Sequence, residues 1–364
     1  MTEAKQLDAL KVAKGSLTEA LSSTSKAIPT VTPAEAPEKR TFSTIRQGNA
    51  TNALTKLRAV EGKTATIDAV TGTATITKGN FSVTIPNYEK LAGLKTSTYQ
   101  LLDAITVAFT ETGAKSPTVI IPLSAYMERR GLKDRKEAKS KVKEDLEVLR
   151  QASITGEEKR GRGQKKETVA YSFVNIADSG EIRRNGDIVF TFGTTFYNML
   201  LGYPIMPYPA QLQSLNNKRN PNSYYLLRKI AEHKNMNIGK ANEDIIAVKT
   251  LLAVAPFIPS YEEVMEADRA VNRKIIEPFE RDMDALEETL SWEYCHHNGQ
   301  PLTDAELQAL SYDTFKELLV KLSWKSYPDQ TARLARKAER LEQAKKPKKK
   351  PATKKKKAED SPTE

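Results

Sequence analysis

Fixed positive charge is the chemistry most densely written into this 364-residue chain. Arg135, Lys139 and Lys143 recur at every fourth position, with Lys136 and Lys141 between them and Arg129, Arg130 and Lys133 just upstream. Residues three and four apart share a face of a helix. The first three therefore form a cationic stripe set apart from the apolar positions Ala138, Val142, Leu146 and Leu149. From Glu128 to Lys143 there are 8 basic and 3 acidic residues, and the acids lie largely off the stripe. Cations spaced this way suit a line of phosphates, where each contact releases counterions from the nucleic acid. The competing reading is a plain solvated helix face.

Three further constellations carry the same chemistry. The polar segment from Glu157 to Lys166 holds Arg160, Arg162, Lys165 and Lys166 around Gly161 and Gly163. Glycines let the backbone approach a surface, and arginine suits a narrow minor groove; the bland alternative is a mobile hairpin loop. Asn217 to Ser223 precedes a helix start, so Lys218 and Arg219 beside open helix N–H groups would clamp a phosphate. Arg269, Asn272, Arg273 and Lys274 lead another helix, and Arg and Asn read guanine and adenine edges bidentately. Glu262, Glu263, Glu266 and Asp268 lie just upstream as rival partners for those cations.

Catalytic chemistry is poorly represented. Cys295-His296-His297 sits in strand-like sequence, where neighbouring side chains point to opposite faces and do not converge on one ion. His233, the third histidine, belongs to another element. There is no phosphate-binding lysine loop, no G-x-S-x-G elbow and no G-x-G-x-x-G fingerprint. A single cysteine excludes an intramolecular disulfide, a cysteine zinc site and an iron–sulfur centre. The expectation is a non-catalytic protein with no metal and no cofactor.

The elements that must position these cations follow from periodicity. Thr64–Val70, Thr73–Thr77 and Phe81–Ile85 read as short strands between Gly/Asn turns. Leu91 to Phe109 has helical spacing, and Val119–Leu123 is a strand. Ser124 caps a short helix closed by Gly131, and Asp134 caps a longer one to about Ala152. Strands at Ala152–Thr155 and Thr168–Ile176 then flank the basic loop, with Asp187–Phe192 beyond. Helix, tight turn, longer helix and hairpin form the pattern of a winged helix-turn-helix, whose second helix enters the major groove; the basic loop is the wing.

The second half repeats this grammar. Asn222 or Ser223 caps a helix to about Lys234, and a short helix covers Ile245–Val254. Ser260 caps the next, and a long helix runs from about Ala267 to Glu288 with a kink or break at Pro278. Leu290–His297 and Leu318–Lys325 pair as strands, with residues 301–316 inserted between them, including a short helix after Thr303.

Fold class is therefore α+β: two tandem winged-helix domains, 61–202 and 203–328, between disordered N- and C-terminal tails. Residues 25–50, rich in Ala, Thr, Pro and Ser, read as a disordered linker within a mostly disordered region 1–60. Residues 329–364 read as a basic helix followed by a disordered lysine-rich stretch. Formal charge is +11, but from Thr331 onward 13 Lys/Arg face 5 Asp/Glu, a net of +8, so the body carries only +3. No apolar run approaches the roughly 18 residues of a membrane span, and the N-terminus lacks the pattern of a signal peptide. The expected compartment is the cytoplasm, in association with the nucleoid, with no membrane partner.

Asp187-Ile-Val-Phe-Thr-Phe192 followed by an aromatic-rich helix, Asn222-Ser-Tyr-Tyr-Leu-Leu-Arg228, and Arg273-Lys-Ile-Ile-Glu-Pro-Phe279 together give the chain a family likeness. Over about residues 80–328 it resembles the tandem winged-helix replication initiators of plasmids and related mobile elements. The resemblance implies binding to double-stranded DNA at origin repeats, opening of the adjacent duplex, and recruitment of host helicase or initiator proteins. It also implies a homodimer that represses its own gene while the monomer initiates. The N-terminal extension, the insertion in the second wing and the lysine tail depart from the pattern. Two other classes stand beside it: a winged-helix transcriptional regulator or nucleoid-structuring protein, and a rolling-circle nicking enzyme, which would need a His-x-His pair that is absent.

Overall fold

The computed structural model describes residues 40–48, 51, 66–68, 70–78, 81–86, 95–160, 167–267, 270–332 and 334–335. Several expectations lie outside the described residues: the weak N-terminal helix, most of the linker, the basic loop 161–166, and the lysine tail. The described chain begins with β1 (Phe42–Arg46), then β2 (Thr66–Asp68), β3 (Thr73–Lys78) and β4 (Phe81–Ile85) at the expected Thr/Val/Ile runs. The linker reading of 25–50 is corrected at its end, because β1 is a paired strand. Its Ile45, 1% exposed, lies in the core.

Helix α1 (Thr96–Glu111) is buried on nearly every side, with Leu101, Ile105 and Val107 at 0% exposure. A helix apolar all round sits inside a fold rather than on it. Its buried threonines tolerate this by bonding back to the preceding turn: Thr106 Oγ1 donates to Leu102 O and Thr110 Oγ1 to Thr106 O, each at 2.7 Å. β5 (Thr118–Pro122), α2 (Leu123–Arg130) and α3 (Arg135–Gln151) follow. Gly131, at φ +63°, makes the left-handed turn that ends α2. Asp134 starts α3 by accepting Glu137 N at 2.9 Å.

Two hairpins come next, where one was expected: β6 (Ser153–Arg160) with β7 (Glu167–Asn175), and β8 (Ala177–Ile182) with β9 (Asp187–Phe192). The expectation of a single hairpin after α3 is corrected here. β6 and β7 extend the N-terminal strands into a five-stranded sheet ordered β2-β3-β4-β6-β7, whereas β5 joins the second hairpin as β5-β9-β8. β9 alternates well enough to be read, with Ile188, Phe190 and Phe192 buried. β8 is largely exposed and polar (Ala-Asp-Ser-Gly-Glu-Ile), so neither propensity nor alternation marks it; only pairing to β9 makes it a strand.

Beyond α4 (Thr194–Gly202), β10 (Ile205–Pro209) and α5 (Gln211–Ser214), the order recurs: α6 (Ser223–Asn237), β11 (Ile245–Ala247), α7 (Val248–Leu252), α8 (Tyr261–Ala267). A π-helical turn (Asn272–Ile276) leads into α9 (Glu277–Asp284) and then β12 (Leu290–Cys295). The insertion carries α10 (Asp304–Gln308) and α11 (Tyr312–Glu317) before β13 (Leu319–Trp324). This sheet is ordered β11-β13-β12, so in both units the last strand is central and the first strand pairs with it. The helix expected over Ile245–Val254 divides, because its β-branched start pairs with β13 through Ile246↔Val320. The long helix expected over 267–288 is corrected: it is helical over 271–284 and carries its irregularity, the π-turn, just before Pro278, whereas the caps at Ser260 and Thr303 and the second hairpin with its insertion stand as expected.

The two units share one core, and α6 packs on α1. Tyr99 stacks on Tyr224 at 6.4 Å and meets Tyr225 edge-on at 6.2 Å. At the centre of this seam Arg228 pairs with Asp103, whose carboxylate also accepts Tyr208 OH at 3.0 Å and Tyr224 OH at 2.7 Å. β1 crosses the same seam. It pairs antiparallel with β10, its Arg46 donates to Leu201 O at 2.8 Å, and its Phe42 lies 6.0 Å from Trp324 and 5.3 Å from Tyr327. Among the described residues no helix is long and apolar enough to cross a membrane.

Candidate nucleic-acid interface

Helix α3 presents the cationic stripe to solvent. Ala138, Val142, Leu146 and Leu149 hold its buried side, while Arg135, Lys136, Lys139 and Lys143 are exposed. Lys141 is half-buried and tied to Glu137 one turn back. Arg129 and Lys133, at the α2–α3 turn, are also exposed. Lys133, Lys136 and Lys139 form no ion pair among the described residues, so their charge remains available to a polyanion. Arg130 turns the other way: its Nη1 donates to Gln213 O at 2.7 Å, which ties α2 to α5.

The β8–β9 turn lies beside the start of α3. Arg135 Nη2 reaches Asn185 O at 3.4 Å. Gly186, at φ +98°, has a backbone that favours glycine, and a Cβ there would meet Arg135 Nη2 at 2.7 Å, so that the guanidinium would have to move aside. Two arginines at this turn were missed in the sequence, Arg183 and Arg184, both exposed. Arg183 leans on Glu181 at 3.0 Å, whereas Arg184 has no ion-pair partner among the described residues. The signal that could have found them is the run Arg183-Arg184-Asn185-Gly186, a turn sequence directly before an alternating apolar strand. Arg160 ends β6 in the other sheet, and Arg162, Lys165 and Lys166 lie outside the described residues.

A buried acid fixes α3 to α1. Asp145, 3% exposed, accepts Thr98 Oγ1 at 2.6 Å and Ser97 Oγ at 3.1 Å. Burial pushes its carboxyl up to about 6, against the lowering effect of those hydroxyls and of the Lys95 and Arg130 charges.

The phosphate clamp expected at Asn217–Ser223 is corrected in part. Lys218 and Arg219 are exposed, but the helix start behind them is not open. Asn222 and Ser223 are fully buried, and Asp282 fills the place of an anion there. It accepts Asn222 N at 3.0 Å and Asn222 Nδ2 at 2.7 Å, while Ser223 Oγ donates to Asp282 O at 2.7 Å. The protein supplies its own carboxylate to the Asn222 donors and a backbone carbonyl to Ser223.

In the second unit Asn272, Arg273 and Lys274 are exposed on the π-helical turn, while Ile276, Phe279 and Met283 are buried, as the spacing predicts. Arg269 lies outside the described residues. Cys295 is buried and His296 sits 3.3 Å from Glu306. Among the described residues no group of three His, Cys, Asp or Glu side chains could hold a metal.

No protein-family model matches the chain, and no curated protein matches it. Among solved structures it is similar to a selenomethionine derivative of domains 2 and 3 of RctB, with a TM-score of 0.40 and 9% identity, over 74% of this chain and 98% of that one. A second crystal structure of RctB domains 2–3 aligns at 8% identity and a TM-score of 0.35, covering 79% of this chain and 94% of that one.

Proposed function

We propose that the chain is a non-catalytic, sequence-specific double-stranded DNA-binding protein that initiates replication at an origin of a plasmid or mobile element. Each unit serves as a winged helix, α3 and the π-turn segment being the reading elements. The observation that carries this reading is the exposed row Arg135, Lys136, Lys139 and Lys143, joined by Arg135 to a turn that bears Arg183 and Arg184. A helix with an arginine-bearing hairpin at its start fits a duplex: the helix takes the major groove and the hairpin an adjacent one. The choice of initiator over regulator rests on the sequence resemblance around Asp187–Phe192, Asn222–Arg228 and Arg273–Phe279. Origin repeats, host helicase or initiator proteins, and a repressing homodimer belong to the same proposal.

Footprinting with permanganate probing of the DNA flanking the gene tests it. Protection over direct repeats with thymines unpaired nearby is the expected result. Protection of a single inverted repeat in a promoter, with no opened strand, would make the protein a transcriptional regulator instead.

A further inference from the structure

Asn272 stands three and four residues before Ile275 and Ile276 and seven before Phe279. Those spacings place residues on one face of an α-helix. Ile275, Ile276 and Phe279 are buried, at 1%, 6% and 0% exposure. A regular helix through this segment would therefore turn Asn272 into the core. Instead Asn272 is exposed, next to Arg273 and Lys274.

The backbone gives the cause. Lys274 N donates to Ala270 O at 3.0 Å, a span of four residues, whereas Glu277 N donates to Asn272 O, a span of five. The turn has taken in one extra residue, which rotates everything before it by about 100° relative to the core stripe. Pro278 follows at once. It has no N–H to offer the Lys274 carbonyl, and in a regular helix its ring would collide with that oxygen. Widening the turn removes the conflict.

We propose that Pro278 is a positioning residue for base reading. By holding the π-turn open, it moves Asn272 from the core stripe to the outer surface beside Arg273, where its amide takes an adenine edge in the major groove. This rests on the segment being the reading element of the second unit.

Selection from random duplex DNA with the full chain tests it. Asn272→Ala is expected to lose roughly tenfold of preference at one A·T position, with affinity for random DNA and the melting temperature nearly unchanged. Arg273→Ala should act at a different position. Pro278→Ala lets the helix close and should lose the same A·T preference as Asn272→Ala. Deleting Lys274 together with Pro278→Ala removes the extra residue, so the residues upstream keep their phase and the preference should return. A wild-type preference that survives in Asn272→Ala overturns the proposal by itself, even if Pro278→Ala does not fold. A preference that survives in Pro278→Ala also overturns it. If the wild type selects a site but Arg273→Ala, Asn272→Ala and Pro278→Ala all leave it intact, the second unit does not read bases. If the wild type selects no site at all, it is the proposed function that fails.

Discussion

Arg228 of α6 and Asp103 of α1 meet where neither reaches water, 6% and 4% exposed, and they join the two units across their shared seam. Burial works most strongly against the guanidinium charge, but the Asp103 carboxylate with Tyr224 and Tyr208 beside it outweighs burial and holds the Arg228 pKa above the ordinary arginine value. Removing either partner strands a buried charge, so Arg228→Ala or Asp103→Ala should each cost about 3–5 kcal/mol. The double variant should cost far less than the sum of the two. Urea denaturation of the four proteins measures this; strict additivity would mean that the pair does not act as a unit.

Asp145 ties stability to pH. Its folded carboxyl is pushed up to about 6, above the ordinary aspartate value of about 3.9, so between those values the folded state holds a proton that the unfolded chain releases. The contribution of Asp145 to stability is therefore fully present below about pH 4, falls as pH rises through about 6, and then levels, by about 3 kcal/mol in all. Asp145→Asn keeps an acceptor for Thr98 and should flatten this part of the curve. Denaturation midpoints from pH 4 to pH 8 are the measurement, and parallel curves for the two proteins would contradict it.

The hairpin that approaches DNA should be β8–β9. Arg184→Ala is expected to weaken binding to all sequences alike and to reduce the salt slope by roughly one, as for one lost phosphate contact. The footprint should shrink at the edge beside the α3 contacts. Replacing Arg160, at the end of β6 in the other sheet, together with Arg162 should leave that edge in place. The opposite result, with only Arg160 and Arg162 shifting the edge, would restore the β6–β7 loop as the wing.

Truncation at residue 344 removes a run of lysines that favours polyanions without choosing among them. Affinity should drop on specific and random DNA by a similar factor, with a shallower salt dependence. A changed consensus site after truncation would show that the tail takes part in recognition.

Much of this architecture was legible in the sequence wherever a local signal coincided with burial. Asp134 and Thr303 announced helix starts because their side chains bond the third backbone N–H of the helix. Ile188, Phe190 and Phe192 announced β9 by alternation. Elements stabilised mainly by distant partners were not legible. β8 has no inward row of its own, and β1 hides in a polar stretch whose partner lies in β10. The same reason hid the second hairpin: the loop with more cations drew attention, while membership of the β5-β9-β8 sheet depends on register with β5. Cations on the exposed face of α3 were read correctly, because the apolar stripe at Ala138, Val142 and Leu146 fixes which way they point. At Asn222 the expected phosphate site holds only in part: Lys218 and Arg219 are exposed, but Asp282, 60 residues later, already occupies the backbone and side-chain N–H groups of Asn222.

The β1–β10 ribbon also sets an order of events during synthesis. Phe42 pairs with Pro209 and Arg46 with Ile205, so the first described strand leaves the ribosome roughly 160 residues ahead of its partner. At about 5–20 residues per second, that is a wait of roughly 10–30 s. Throughout that interval the helices and sheets of the first unit can assemble, but Ile45 and Phe42 have no seat. Closure of this long loop comes late, and the contacts of Phe42 with Trp324 and Tyr327 later still, which makes the seam between the units one of the last parts to set. Nascent chains halted before residue 205 should therefore leave the segment around β1 open to protease, and chains halted after β13 should protect it.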